Sequence, residues 1–326
     1  MIIKERKYPI SIQKLEAILR RLPKKPSFSS KRALIEEELL KQKAGYYGEQ
    51  SLDYHLRFLP DKKYFILQDL RLANKYGFFQ IDTLILSQSF LVILEIKNIK
   101  GTIYFDDNFN QLIRSSDGKE EGFLDPLLQI RRQQSELMHW LSNDFKNFPE
   151  IPIETFVVIS NPSTIIKSTT NNTFLKETVM HGTLLPQKIT DLGKKHPPKI
   201  IPMKQLKELA HKLKKMHVVS NPDLLKRFDI KKSELVKGVY CPKCHSLPML
   251  RKNKAWLCKS CSYSLRDAHI ESLKDYALLI GPTITNRQLR DFLYLSSRTT
   301  SVYFLKSMNL KHSGNTKGRV YELHFS

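Results

Sequence analysis

Residues Gly77 to Thr102 constrain the fold of this chain more than any other stretch. They run Gly-Phe-Phe-Gln-Ile-Asp-Thr-Leu-Ile-Leu, a polar turn at Ser87-Gln88-Ser89, then Phe-Leu-Val-Ile-Leu-Glu-Ile-Lys-Asn-Ile-Lys-Gly-Thr. Two apolar runs of strand length around a short turn predict a β-hairpin or two neighbouring strands. Phe90 to Leu94 are apolar almost throughout, as in a strand covered on both faces. Three charges sit in this setting: Asp82, Glu95 and Lys97. Glu95 and Lys97 are two residues apart and share one face of their strand, with Ile96 on the other. A neighbouring strand pairing would bring Asp82 beside them.

Desolvating an unpaired charge is costly, so two carboxylates and an ammonium at the end of a buried hairpin need a reason. A hard divalent cation supplies one, because Mg²⁺ binds one or two carboxylates together with waters and substrate phosphate oxygens. A nearby lysine would then orient an attacking water or neutralise charge developing on phosphorus. A structural Glu95–Lys97 pair on a partly solvated strand edge is the alternative that the tripeptide alone leaves open.

The segment from Ala44 to Tyr104 resembles the nuclease-related domain (NERD) family, a branch of the PD-(D/E)XK phosphodiesterase superfamily. The resemblance rests on Gly45-Tyr46-Tyr47-Gly48-Glu49 in an upstream helix, Gln80-Ile81-Asp82, Glu95-Ile96-Lys97-Asn98 and Gly101. Asp125-Pro126-Leu127-Leu128-Gln129 is similar to the family's Asn-Pro-x-x-Gln signature, with Asp in place of Asn. The resemblance covers the first half of the chain. It implies an α/β, restriction-endonuclease-like core that hydrolyses phosphodiesters with a metal. Asp82 and Glu95, assisted by the Ile96 carbonyl, would hold Mg²⁺ or Mn²⁺. Lys97 would position the water and stabilise the transition state, with Glu49 and Gln129 in support. Glu49 would reach the cation as an extra ligand if it faces the sheet; an ordinary exposed Glu is the alternative.

A length of 326 residues allows two or three domains and a sizeable core. No apolar run is long enough to span a membrane, and the first residues, Met-Ile-Ile-Lys-Glu-Arg-Lys-Tyr-Pro, lack the apolar stretch of a secretion signal. A cytoplasmic protein without membrane contact is expected. The formal net charge of +22 is unevenly spread: residues 194–326 hold 27 Lys and Arg against 9 Asp and Glu, and residues 1–193 hold 27 against 23. A polyanion bound by the C-terminal part is the natural reading, although a solvated basic surface has the same composition.

In chain order, Ile12, Leu15, Ile18, Leu19 and Leu22 recur at helical spacing. A second helical pattern starts at Lys31 and continues or restarts through Gly45 and Gly48 to Leu59, with Leu52, Leu56 and Leu59 buried. Tyr64 to Leu72 reads as a strand, and Gly101 to Phe105 as another. Asp106 and Asp107 are a tempting carboxylate pair, but Asp-Asp-Asn is turn chemistry. Asp125-Pro126 opens a helix as N-cap and first-turn proline. Its apolar stripe is Leu127, Ile130, Leu137, Leu141 and Phe145, while Gln129, Arg132, Gln133 and Glu136 share another face. If that face borders the cleft, Gln129 would donate to a phosphate or orient the water; a solvated helix face is the default reading. Ile153 to Ser160 is a central strand, residues 161–193 an elaborated edge and loop, and Ile201 to Val218 an amphipathic helix.

The four cysteines form two pairs, Cys241-Pro242-Lys243-Cys244 and Cys258-Lys259-Ser260-Cys261, separated by 13 residues. Two such knuckles match the tetrahedral four-thiolate geometry of a structural zinc ribbon, with no coordination position left open. Leu247, Met249, Leu250 and Trp256 are too few to hold this insert together, and zinc binding worth roughly 10–16 kcal/mol would fold it. Disulfide or redox chemistry is disfavoured in an intracellular chain without a thioredoxin-like surround.

Beyond Thr283, Thr285 caps a segment with Leu289, Phe292 and Leu293 at helical spacing. Ser296-Ser297 opens a second helix with Val302 and Leu305 inward. With the run His312 to Arg319 and the strand Val320 to Leu323, this looks like a winged helix. Arg298, Thr299, Thr300, Tyr303 and Lys306 would project from the recognition helix, and Lys317 and Arg319 from the wing. A small helical domain for protein contacts is the alternative.

The expected organisation is an N-terminal helical extension (1–40), a nuclease-related α/β domain (41–165), a helical connector (166–237), a zinc ribbon (238–266) and a winged-helix-like domain (267–326). The expected activity is metal-dependent hydrolysis of DNA, with RNA left open as substrate. A DNA-binding protein that keeps the nuclease fold only as a scaffold is the competing reading, and an intact Asp, Glu and Lys set argues against it.

Overall fold

The computed structural model of the protein describes residues 1–145, 148–168, 172–315 and 318–324. The chain forms two compact units, Met1–Tyr8 with Lys43–Ser220, and Pro9–Gln42 with Asn221–Ser326.

A short strand β1 (Ile2–Lys4) precedes helices α1 (Ile10–Arg21) and α2 (Ser29–Leu56). Strands β2 (Phe65–Asn74), β3 (Gly77–Leu86) and β4 (Leu91–Lys97) follow, then β5 (Thr102–Asp106), β6 (Gln111–Ser116) and β7 (Lys119–Leu124). Next come helix α3 (Pro126–Asp144), β8 (Ile153–Ile159), β9 (Ile165–Ser168) and α4 (Thr173–Thr178). The first unit closes with β10 (Val179–His181), α5 (Leu185–Lys195) and α6 (Met203–Met216).

Its main sheet has the order β1-β2-β3-β4-β8-β10, and a second sheet the order β7-β6-β5-β9. In the main sheet β2, β3 and β4 are antiparallel, whereas β1 is parallel to β2, β8 to β4 and β10 to β8. Leu91 to Ile96 are all buried because helices cover both faces. Leu84, Leu86, Leu91 and Ile93 pack with Leu137 and Trp140 of α3 and with Leu206, Leu209 and Leu213 of α6. On the other face Ile85, Val92, Leu94 and Ile96 pack with Leu52 and Leu56 of α2 and with Leu185 and Ile189 of α5. The alternation of these two sets along β4 fixes its register, since a one-residue slip would exchange the faces.

The hairpin predicted from Gly77 to Lys97 is present, and α2 runs unbroken through Gly45 and Gly48. Asp125 caps α3 by accepting the Leu127 N–H at 2.8 Å, and Asp106 accepts the Asn108 N–H in the expected turn. Within the expected N-terminal helical extension, Ile2–Lys4 is a strand, because it pairs with β2. Within the stretch read as an elaborated edge and loop, Val179 to His181 pair with β8 as the edge strand, and Leu185, Ile189 and Leu192 form an apolar stripe over the sheet.

The second unit adds α7 (Leu224–Arg227), a three-stranded sheet of β11 (Leu250–Lys252), β12 (Ala255–Leu257) and β13 (Ser264–Leu265), and helix α8 (His269–Leu279). It ends with β14 (Thr283–Thr285), α9 (Asn286–Leu293), α10 (Arg298–Ser307), β15 (His312–Ser313) and β16 (Val320–Glu322). Strand β16 lies between β14 and β15. Trp256, Cys241 and Cys258 share one core with Leu273, Ile284, Leu289, Phe292, Phe304 and Tyr321, so the cysteine-bearing sheet and the following helices pack as one body. A buried carboxylate ties α1 into this unit: Asp275 accepts Arg21 Nε at 2.9 Å and Arg20 Nη2 at 2.6 Å, with Asp275 and Arg21 fully enclosed. Removing the carboxylate leaves a buried guanidinium without its counter-charge. Asp275→Ala is expected to destabilise the second unit by about 3–5 kcal/mol in urea denaturation.

Candidate active site

The main sheet forks. Pairing between β3 and β4 ends at Thr83 opposite Leu94, while β3 continues along β2 as far as Gly77 opposite Asn74, and β4 continues along β8 to Lys97 opposite Ile159. Asp82 is the first residue of β3 past the split. Its Oδ2 accepts the Ile96 N–H at 2.8 Å, so the carboxylate lies across the gap. Glu95 is only 3% exposed, and its two oxygens accept Lys97 Nζ and Gln133 Nε2, each at 2.7 Å. Lys97 Nζ also donates to Gln129 Oε1 at 3.0 Å. Gln129 and Gln133 are one turn apart on α3 and therefore reach the fork together.

Helix α2 delivers Glu49 from the opposite face. Its approach depends on Gly48, where an added Cβ would stand 2.3 Å from Asn98 Cβ, and on Asn98 Nδ2, which donates to the Ala44 carbonyl at 2.8 Å. Glu49 Oε2 accepts Arg6 Nε at 2.9 Å, and Arg6 Nη1 donates to Asp53 Oδ1 at 3.0 Å. Asp82, Glu95, Lys97, Glu49 and Gln129, singled out from sequence, thus gather around one end of the sheet.

Residues 44–160 match the nuclease-related domain family model, and all five residues lie inside that match. The chain carries a nuclease-related domain. No curated protein and no solved structure matches it.

Three residues near the fork were not singled out from sequence. Gln133 shares a helix face with Gln129, so the spacing carried a signal. Its burial against Glu95 depends on packing that the spacing does not show. Asp69 lies level with Asp82 in the β2–β3 register, with a left-handed φ of 49° inside a strand, which Asp tolerates better than most residues. Its carboxylate takes Gln80 Nε2 at 3.0 Å and lies 3.7 Å from Lys4 Nζ. Arg6 gave no signal at all, since its partner is 43 residues away.

Negative charge is in excess here. Burial, then the Glu95 and Glu49 carboxylates, push Asp82 well above the usual carboxylate range, against the Ile96 N–H and Lys97. Burial likewise raises Glu49 despite its pairing with Arg6, with Asp69 and Glu95 adding to the effect. The donors facing the fork are oxygens, and the buried Gln133 Oε1 has no hydrogen-bond partner among the described residues. An all-oxygen set with surplus charge fits Mg²⁺ or Mn²⁺. The acids are gathered more loosely than the thiols. Among the described residues, only the four cysteines form a group of three or more potential metal ligands drawn closely together. A cation here would use one or two carboxylates with water.

The ligand atoms of Cys241, Cys244, Cys258 and Cys261 all lie within 4.8 Å of one another, and the cysteines are free thiols. Sulfur separations of 3.6 Å (Cys241–Cys261) and 3.5 Å (Cys244–Cys258) approach the edge of about 3.8 Å of a tetrahedron with 2.3 Å bonds. The Ser246 hydroxyl, 3.0 Å from Cys258 Sγ, holds that thiol down at about 6.

In α10, Arg298, Thr299, Tyr303 and Lys306 are exposed, Thr300 is half-buried, and Ser301, Phe304 and Leu305 face inward. Arg319 is half-buried, and Lys317 lies outside the described residues. No helix among the described residues is long and apolar enough to cross a membrane.

A carboxyl whose folded pKa is raised stabilises the fold most below its unfolded value, 3.8 for Asp82, and that contribution is lost as pH rises through the raised value. The burial of this carboxyl therefore costs the fold stability at neutral pH. Asp82→Asn is expected to raise the Tm by a few degrees at pH 7–8 in EDTA. The gap from wild type should narrow toward pH 4 in a calorimetric series.

Proposed function

We propose that the nuclease-related domain hydrolyses DNA phosphodiesters with Mg²⁺ or Mn²⁺, as a PD-(D/E)XK-type enzyme. The observation that carries this reading is the meeting of Asp82, Glu95 and Lys97 at the fork of the main sheet. Asp82 and Glu95 would hold the ion, with the Ile96 carbonyl in support. When bound, the ion would polarise a phosphate oxygen and help ionise a water. Lys97 spends two of its three N–H donors on Glu95 and Gln129, which leaves one to orient the water or meet charge developing on phosphorus. Gln133 keeps Glu95 in place from behind, and Glu49 adds charge from the α2 side.

The thiol cluster is read as a structural zinc ribbon at residues 238–266. Residues 267–326 have the order helix, strand, helix, helix, strand, strand expected of a winged helix, with Arg298, Thr299, Tyr303 and Lys306 exposed on the second helix of the pair. That face and the C-terminal excess of Lys and Arg support binding of the nucleic-acid backbone, largely without regard to sequence.

Asp82→Ala and Lys97→Ala are each expected to slow Mg²⁺-dependent scission of plasmid DNA about 100-fold or more while leaving affinity in EDTA nearly unchanged. Cutting at wild-type rates by either variant would place the activity elsewhere, and binding without scission by the wild type would support a scaffold role. Metal analysis of purified protein is expected to find one zinc per chain, and Cys258→Ser should lose it together with the folding cooperativity of the second unit.

A further inference from the structure

Past the fork, the ends of β2 and β3 form a two-stranded arm with two unlike faces. Leu70, Leu72, Phe79 and Ile81 belong to the core beneath α3 and α6. The opposite face is open: Ala73, Phe78 and Gln80 are exposed and Arg71 is half-buried. Arg71 is opposite Gln80 and Ala73 opposite Phe78 in the register, so these four share that face. The turn adds Lys75 and Tyr76, and Tyr76 is 84% exposed.

The chemistry of this face is specific. The Arg71 guanidinium lies 3.7 Å from the centroid of the Phe78 ring, and Lys75 Nζ lies 5.5 Å from that of Tyr76. Arg71 is held by backbone as well as by the ring. Its N–H donates to His217 Nδ1 at 3.1 Å, and its carbonyl accepts the Val218 N–H at 2.9 Å. The tip is also fixed, since Asn74 Oδ1 accepts the Tyr76 N–H at 3.0 Å. Two rings with cations beside them, on a rigid hairpin, make a surface for flat π systems that carry negative charge. Gln80 is two residues before Asp82, and Phe78 is about 13 Å from Asp82 along the strand.

We propose that this arm is a stacking track for single-stranded nucleic acid leading away from the fork. Unpaired bases stack on Tyr76 and on the side of Phe78 that Arg71 leaves exposed, while Arg71 and Lys75 meet the phosphates. A duplex offers only the edges of its bases in the grooves, and its internal base faces are already stacked. The arm therefore favours a strand with unpaired bases beside the scissile phosphate, such as a single-stranded tail or the junction of a duplex with one. This rests on the reading of the fork as a nuclease site and names the kind of substrate that site would take.

The test is fluorescence anisotropy of the full-length protein in EDTA, with a labelled oligothymidylate of about 12 nucleotides and a blunt duplex of equal length as probes. Base–aromatic stacking is worth roughly 5–150-fold in affinity per base. The Tyr76→Ala/Phe78→Ala double variant should lose at least about fivefold in single-strand affinity with duplex affinity and Tm unchanged. Tyr76→Trp/Phe78→Trp should retain the single-strand affinity. Unchanged single-strand binding by the alanine variant overturns the proposal, as does an equal loss on duplex or a wild type that ignores the single strand. These variants leave Asp82 and Lys97 in place, so plasmid scission by wild type and Asp82→Ala reports separately on the nuclease reading.

Discussion

The contact between the Asp82 carboxylate and the Ile96 N–H does for this protein what a ladder hydrogen bond would otherwise do. At the point where β3 parts from β4, a backbone donor of the central strand would be left without its neighbour, and an unpaired buried N–H is costly. A side chain from the departing strand fills that place. The consequence is chemical, because the substitute is an acid set beside Glu95. The same geometry that completes the sheet concentrates negative charge at its split end.

The surroundings hold that arrangement from two faces. Helix α3 supplies Gln129 and Gln133, which fix Lys97 and Glu95, and α2 supplies Glu49 through the close approach that Gly48 permits. Each acid has an assigned partner, yet burial and mutual repulsion still leave Asp82 and Glu49 with raised affinity for protons. A site in this condition trades stability of the empty fold for affinity toward a positive ligand, which is common where function needs preorganised charge.

Local pattern carried much of this. Uninterrupted apolar residues in β4 marked a central strand, Asp125-Pro126 marked the start of α3, and the spacing of four cysteines marked their cluster. Glu95 and Lys97 were legible because a strand puts i and i+2 on one face. What stayed hidden depends on contacts between distant parts of the chain. Ile2–Lys4 looks like any short apolar opening until β2 is there to pair with it, and nothing in the spacing of Arg6 points to Glu49. Gln133 lay on a face whose polar character suggested solvent, and only the packing of α3 turned it toward the sheet. The ordered β10 and α5 were similarly obscured by the polar residues around them.

The segment that resembles the family is smaller than the body it needs. Both faces of its sheet are roofed by residues outside positions 44–160: Leu206, Leu209 and Leu213 on one side, Leu185, Ile189 and Leu192 on the other. Arg6, which neutralises Glu49 and Asp53, also comes from outside it. Cutting the gene at the borders of similarity would therefore expose two oily surfaces and strip a counter-ion from the acids. The minimal expressible fragment is set by where the apolar surface is closed off, and inherited motif boundaries are a poor guide to it.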